Sequence, residues 1–142
     1  MYKIGLRSGA PVSVGHMMEV AGTDTYTDIA PGTLICIVEG MMETAPAGGC
    51  PDAVVSSVEE NSSGVPIRGT VMLLTPDMFL EAPVAGTDAQ IAGLKNGNYI
   101  AFNDTGVDAS ETSAFCQIID TLGAKKAGDK ILVRFVKKED NA

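Results

Sequence analysis

The sequence predicts a mainly β protein: a single compact barrel-like or sandwich-like domain with at most one or two short helices. Three observations predict it. Residues 115–120 and 130–136 form two apolar, strand-like runs joined by a Gly/Lys turn, with no helical pattern after them. Sixteen Gly and seven Pro cut the chain into short segments, which favours strands over long helices. Apolar residues make up 45% of the 142 positions, enough for one domain burying roughly 68% of its unfolded surface.

Each element follows in order. Residues 2–7 alternate and read either as a first strand or as an extended arm spanning 1–14, ahead of a β-rich domain over 15–142. Residues 33–39 are apolar and predict a buried strand, entered through the turn Pro31-Gly32. The 41–51 segment, with its Pro and paired Gly, predicts a loop, and 53–58 another strand. Residues 59–64 predict a polar turn, and 67–75 the long strand after it. The one helix expected lies within 88–94, capped by Thr87 or Asp88. Residues 95–98 predict a tight turn feeding 99–102, and 103–111 a second polar loop. The chain shows no internal repeat and no linker.

Charge is unevenly placed. The net charge is −8, yet residues 19–120 carry 15 acidic residues against Arg68 and Lys95, a local balance of −13. Lys3 and Arg7 sit at one end, and Lys125, Lys126, Lys130, Arg134, Lys137 and Lys138 at the other. An acidic body repels phosphate backbones, so nucleic acid is not an expected partner. The basic ends suit ordinary solvation, the acidic middle, or an acidic protein surface. Only 5% of residues are aromatic and none is Trp, which weakens any case for stacking on bases or sugars. The first residues form no continuous apolar run, and no segment approaches 18 apolar residues, so neither a signal peptide nor a membrane span is expected.

The inventory for chemistry is thin. Cys36 and Cys116 lie in apolar runs and read as small core residues, while Cys50 sits in a Gly-Gly-Cys-Pro loop and reads as exposed. Three scattered cysteines argue against a disulfide framework and suit a reducing cytoplasm. His16 is the only histidine, with no G-x-S-x-G partner motif. A Cys50–His16 pair has nothing in the sequence to bring it together. Asp104, Asp108 and Glu111 do not have EF-hand spacing and read as a plain acidic turn. Glu19, Glu39, Glu43, Glu59 and Glu60 are candidates for acid–base work only by residue type. The pairs Met17-Met18 and Met41-Met42 suit core filling or, if exposed, an adaptable contact surface. The expectation is a protein that is not an enzyme, with no catalytic residues, no bound metal and no cofactor.

Three stretches carry a resemblance: TPDMFLEAPV at 75–84, GLKNGNYIAF at 93–102 and GDKILVRF at 128–135. Their order and composition resemble the head-decoration (auxiliary capsid) proteins of tailed bacteriophages, over roughly the last half of the chain. The Met-rich first half departs from that pattern. The resemblance implies a structural virion protein on the capsid exterior, made in the host bacterial cytoplasm, that binds the expanded shell as a homotrimer. Its partner would be the major capsid protein, with neither nucleic acid nor membrane involved. An N-terminal arm would add a strand to the shell protein, which makes Tyr2, Lys3, Ile4, Leu6 and Arg7 the candidate capsid-contact residues. Such an arm predicts that removing residues 1–7 leaves the fold intact.

The competing reading is another β-rich virion component, such as a tail protein, or a carbohydrate-binding adhesin. An adhesin would stack glycans on Tyr2, Tyr26 or Tyr99. Host, oligomeric state, the surface that meets the shell and the role of Cys50 are not written in the sequence.

Overall fold

The computed structural model describes residues 1–4, 16–19, 29–47, 49, 51–64 and 66–136. Among them the order is β1 (Lys3–Ile4), β2 (His16–Glu19), β3 (Leu34–Val38), β4 (Met41–Thr44), β5 (Ala53–Glu60), β6 (Pro66–Leu73), β7 (Leu80–Ala85), α1 (Asp88–Ala92), β8 (Ala101–Phe102), β9 (Val107–Asp108), β10 (Cys116–Asp120) and β11 (Lys130–Phe135). Among the described residues the protein is mainly β, with two sheets and one short helix.

The first sheet runs β10-β11-β7-β9-β8, with β1 added on β7. Alternation builds its core face. Leu80, Ala82 and Val84 of β7, Ile131, Val133 and Phe135 of β11, and Cys116 and Ile118 of β10 all point into one cluster, as period-two strands require. The sheet curls into a half-barrel. The chain just before β8 bonds back to β10: Gly97 N–H to the Ile118 carbonyl (2.7 Å), Ile118 N–H to that of Asn98 (2.8 Å) and Ile100 N–H to that of Cys116 (3.0 Å).

β7 is the hub. One of its edges pairs with β11, while the other is divided between two short strands. Antiparallel β1 takes Leu80 and Glu81, and parallel β9 takes Val84 and Ala85. Pro83 lies near the division, and a proline offers the ladder no N–H.

The second sheet is antiparallel throughout, in the order β2-β6-β5-β3-β4. Its two outer strands, β2 and β4, come within 8 Å between Cα atoms, so it curls as well. Leu34 and Val54 point from this sheet into the half-barrel's core. Ile35, Met42, Ala53, Val55 and Val71 form a second cluster with Ile29. Two backbone bonds join the halves, Tyr2 N–H to Gly32 carbonyl (2.9 Å) and Leu34 N–H to Asp104 carbonyl (2.9 Å), and the Gly32 N–H in turn bonds the Val55 carbonyl (2.8 Å) within the second sheet's side.

Several local expectations change. The 41–51 segment is not all loop, because β4 occupies 41–44 and pairs with β3 across a two-residue turn. Glu39 and Gly40 both hold positive φ, 52° and 79°, the conformation of a primed hairpin turn. The 59–64 turn begins later, since β5 continues to Glu60. The 103–111 loop contains β9, held by β8 and β7 after a tight turn in which Asn103 Oδ1 accepts from the N–H groups of Thr105 and Gly106. The helix begins as expected. Thr87 caps it, and Gln90 returns the bond to the Thr87 N–H in a capping box.

Of the two readings of the N-terminus, residues 3–4 follow the first-strand one: they pair with β7 in the half-barrel, and Tyr2 is buried. The rest of the 1–14 arm lies outside the described residues.

Candidate contact surface

The five residues singled out at the N-terminus have different surroundings. Tyr2 is 4% exposed. Its ring meets Phe135 edge-on at 5.5 Å, and Phe135 meets Phe102 in the same way at 5.1 Å. Its hydroxyl donates toward the carbonyls of Gly106 (2.7 Å) and Asn103 (3.0 Å). Burial, then the nearby Cys116 and Asp104, push the phenol's pKa upward, so it stays a neutral donor. Tyr2 is therefore a core residue whose side chain, as folded, has almost no surface to offer a partner.

Lys3 is exposed and stands opposite Glu81 in the β1–β7 register, one position from Ile4 opposite Leu80. The α-amine of Met1 has its pKa lowered by partial burial and by the charge of Lys130. Strands β1 and β11, far apart in sequence, thus flank β7, with Lys3 and Leu132 on opposite edges of Glu81. Leu6 and Arg7 lie outside the described residues.

Beneath β1, between the two sheets, is a cleft of about 280 Å³ lined by Tyr2, Lys3, Gly32, Val55, Met72 and Leu80 among others. Its lining is mostly apolar, with Tyr2, Lys3 and Ser56 as the residues that carry polar side-chain groups. A second hollow of about 260 Å³ lies where Pro83 and Val84 meet Gly106 and Gly128.

The other candidates fall in separate places. Cys116 is fully buried, and burial raises its thiol pKa, which disfavours the nucleophilic thiolate. Cys36 is half-buried rather than fully enclosed. Cys50 and Tyr26 lie outside the described residues, and His16 and Glu19 are placed only as backbone positions of β2. Tyr99 is half-buried and bridges Gln117 at the half-barrel's seam.

The acidic turn is occupied by its own backbone. Asp108 accepts from the Ser110 N–H and hydroxyl, which hold its carboxyl below the usual range, and the Asp104 carbonyl accepts from Leu34. Glu59 is paired with Arg68 across β5 and β6. Among the described residues no group of three or more His, Cys, Asp or Glu is placed to hold a metal ion.

Sequence reasoning missed one residue of interest. Leu122, in the β10–β11 turn, is 48% exposed and has a φ of 53°. Only the glycine after it hinted at a turn there.

Comparison of the chain with protein-family models, with curated proteins and with solved structures gives no match.

Proposed function

We propose that this chain is a structural virion protein that decorates and stabilises the expanded head of a tailed phage, bound to the outside of the shell as a homotrimer. One observation supports this reading above the others. The three stretches that resemble head-decoration proteins, distant in sequence, assemble into one unit. Residues 75–84 supply β7, 128–135 supply β11 beside it, and 93–102 supply the seam and β8. The resemblance therefore follows a single piece of architecture, the half-barrel, rather than scattered surface loops.

The mechanism follows from mechanics. Packed DNA pushes shell subunits apart, and a rigid clamp across neighbours adds interface that must be lost before they separate. A standard interface buries about 1,600 Å², and repetition over the shell multiplies modest affinities.

The test is co-sedimentation of the purified chain with expanded heads of the phage that encodes it, with unexpanded shells as control. Saturable binding to expanded heads alone supports the reading, and the copy number checks the trimer. Binding to neither sinks it and turns attention to tails and to a glycan screen.

A further inference from the structure

The half-barrel closes where the chain before β8 bonds back to β10, and that seam begins at a reactive pair. Asn96 is the one asparagine of the sequence that glycine follows. Asparagine is among the chemically labile residues, and a glycine after it leaves the next main-chain nitrogen without a side chain to shield it. That nitrogen can attack Asn96 Cγ. A bond forms from the Gly97 nitrogen to Cγ, the bond from Cγ to the side-chain nitrogen breaks, and ammonia leaves with the Gly97 N–H proton. Water then opens the cyclic imide at either carbonyl. One product is aspartate. The other is isoaspartate, whose main chain runs through the former side chain and is longer by a methylene.

The fold holds both reacting groups. The turn over residues 95–98 is closed by the Asn98 N–H on the Lys95 carbonyl (3.1 Å), and the φ of 90° at Gly97 suits the glycine position of a type II turn. The Gly97 N–H, whose proton must leave, donates to the Ile118 carbonyl (2.7 Å), and the Ile118 N–H donates to the Asn98 carbonyl (2.8 Å). Asn96 Oδ1 accepts from the Thr121 N–H (3.0 Å), which fixes the amide that would be attacked. Gln117 Nε2 donates to the Gly97 carbonyl (3.1 Å), while its Oε1 accepts from Arg134 Nε (2.8 Å). Asn96 and Gly97 are nonetheless exposed, so water and base reach them. Their protection is the hydrogen bonding of the seam, not burial.

We infer that Asn96-Gly97 is a self-modification site gated by this seam. The imide forms only from conformations in which residues 96–98 have left β10, and the isoaspartyl product prevents the seam from closing again. Both bonds to Ile118 come from Gly97 and Asn98, so a methylene inserted just before them displaces the pair from its register. The aspartyl product keeps that register and an acceptor for the Thr121 N–H, so it leaves the seam closed. Where closing is faster than the chemistry, the rate of modification follows the population of the open state. Each isoaspartyl chain is then a lasting record of one opening.

The experiment incubates wild type in a mildly alkaline buffer, folded and in urea, beside folded Gln117→Leu. Peptide mass spectrometry reads deamidation at Asn96, and amide exchange is followed at Gly97 and Ile118. Deamidation of folded wild type should run roughly tenfold or more below its rate in urea. Gln117→Leu removes the side-chain tie to the Gly97 carbonyl, so it should quicken deamidation and Gly97 exchange by the same factor. Isoaspartyl chains, once separated, should have lost protection at both amides, while aspartyl chains retain it. Equal rates in folded and unfolded wild type overturn the inference, as does an Asn96 that stays intact in urea over the same period. Faster Gly97 exchange in Gln117→Leu with unchanged deamidation overturns the gate. Isoaspartyl chains that protect Gly97 and Ile118 as wild type does overturn the lasting opening. If Gln117→Leu does not fold, the two wild-type rates still decide.

Discussion

The hydroxyl of Tyr2 lies 2.7 Å from the carbonyl oxygen of Gly106, joining positions 104 residues apart. The bond sits where β7 changes neighbours, from β1 at Leu80 and Glu81 to β9 at Val84 and Ala85. Tyr2 links those two short strands through a side chain. Its ring then continues into the core through Phe135 and Phe102.

Removing that link should be felt by the whole half-barrel. Tyr2→Phe keeps the ring but takes the donor from two carbonyls, a loss of about 1–3 kcal/mol if both stay shielded from water. Tyr2→Ala also empties the space beside Phe135, and large aromatic truncations cost about 3–5 kcal/mol. Truncation of residues 1–7 should therefore destabilise the fold, the reverse of what a detached arm predicts. Urea unfolding of the three variants checks this. A truncated chain as stable as wild type would show that the first strand is dispensable.

Leu34 and Cys36 lie two apart on β3 and face the same way, yet they differ in enclosure. Leu34 is fully buried against the half-barrel, while Cys36 is half-buried at that cluster's margin. Leu34→Ala should lower stability by roughly 2–5 kcal/mol, through lost transfer energy and the cavity left behind. Cys36→Ala removes one sulfur at a site where neighbours and solvent can fill the space, so its cost should be a small fraction of that. Equal shifts in the urea midpoint would contradict the orientation of β3.

The parts legible in sequence are those whose cause is local. The β10–β11 hairpin was readable because two apolar runs flank a Gly/Lys turn, and Cys116, Ile118, Ile131, Leu132, Val133 and Phe135 in them are all buried. The helix start was readable because Thr87 and Asp88 are both capping residue types ahead of 88–94, and Thr87 takes the role, with Gln90 completing a capping box. β4 was missed because Met-Met-Glu-Thr carries little strand propensity. Its pairing depends on the positive φ of Glu39 and Gly40. β9 was missed because its two residues gain strand character only through pairing with β8 and with β7, the latter more than twenty positions earlier. Tyr2 had no local signal at all, since its acceptors are Asn103 and Gly106. The contact surface was least legible, because the exposure of Leu122 is a property of the assembled loop.

Gly69 marks a close approach that no side chain can share. A Cβ there would sit 2.5 Å from the Ser57 carbonyl oxygen and 3.0 Å from Met42 Cε. The methionine end can swing aside, but the carbonyl belongs to the β5 ladder beside a bulge between Val55 and Ser57. Gly69→Ala should thus separate β5 from β6 locally, with an overpacking cost of about 1–3 kcal/mol. Thermal melting measures it, and amide exchange should quicken first at residues 57, 58 and 69. An unchanged melting temperature would place these strands further apart than described.

Asp129 gives the fold a defined acid response. The N–H groups of Lys125 and Lys126, with a smaller contribution from the Lys126 charge, hold its carboxyl below the ordinary value of 3.8. A carboxyl whose folded pKa is depressed adds stability above its unfolded pKa and loses it as pH falls through the folded one. The turn carrying Leu122 should therefore keep its geometry at neutral pH and loosen only in acid below about pH 3.8. An NMR titration should show the Asp129 carboxyl and the Lys125 and Lys126 amides sharing one midpoint below that value. Asp129→Asn retains an acceptor but removes the charge, so those amides should lose the acid transition. If the Asp129 midpoint came out at or above 3.8, the amide bonds that fix this turn would not be formed in solution.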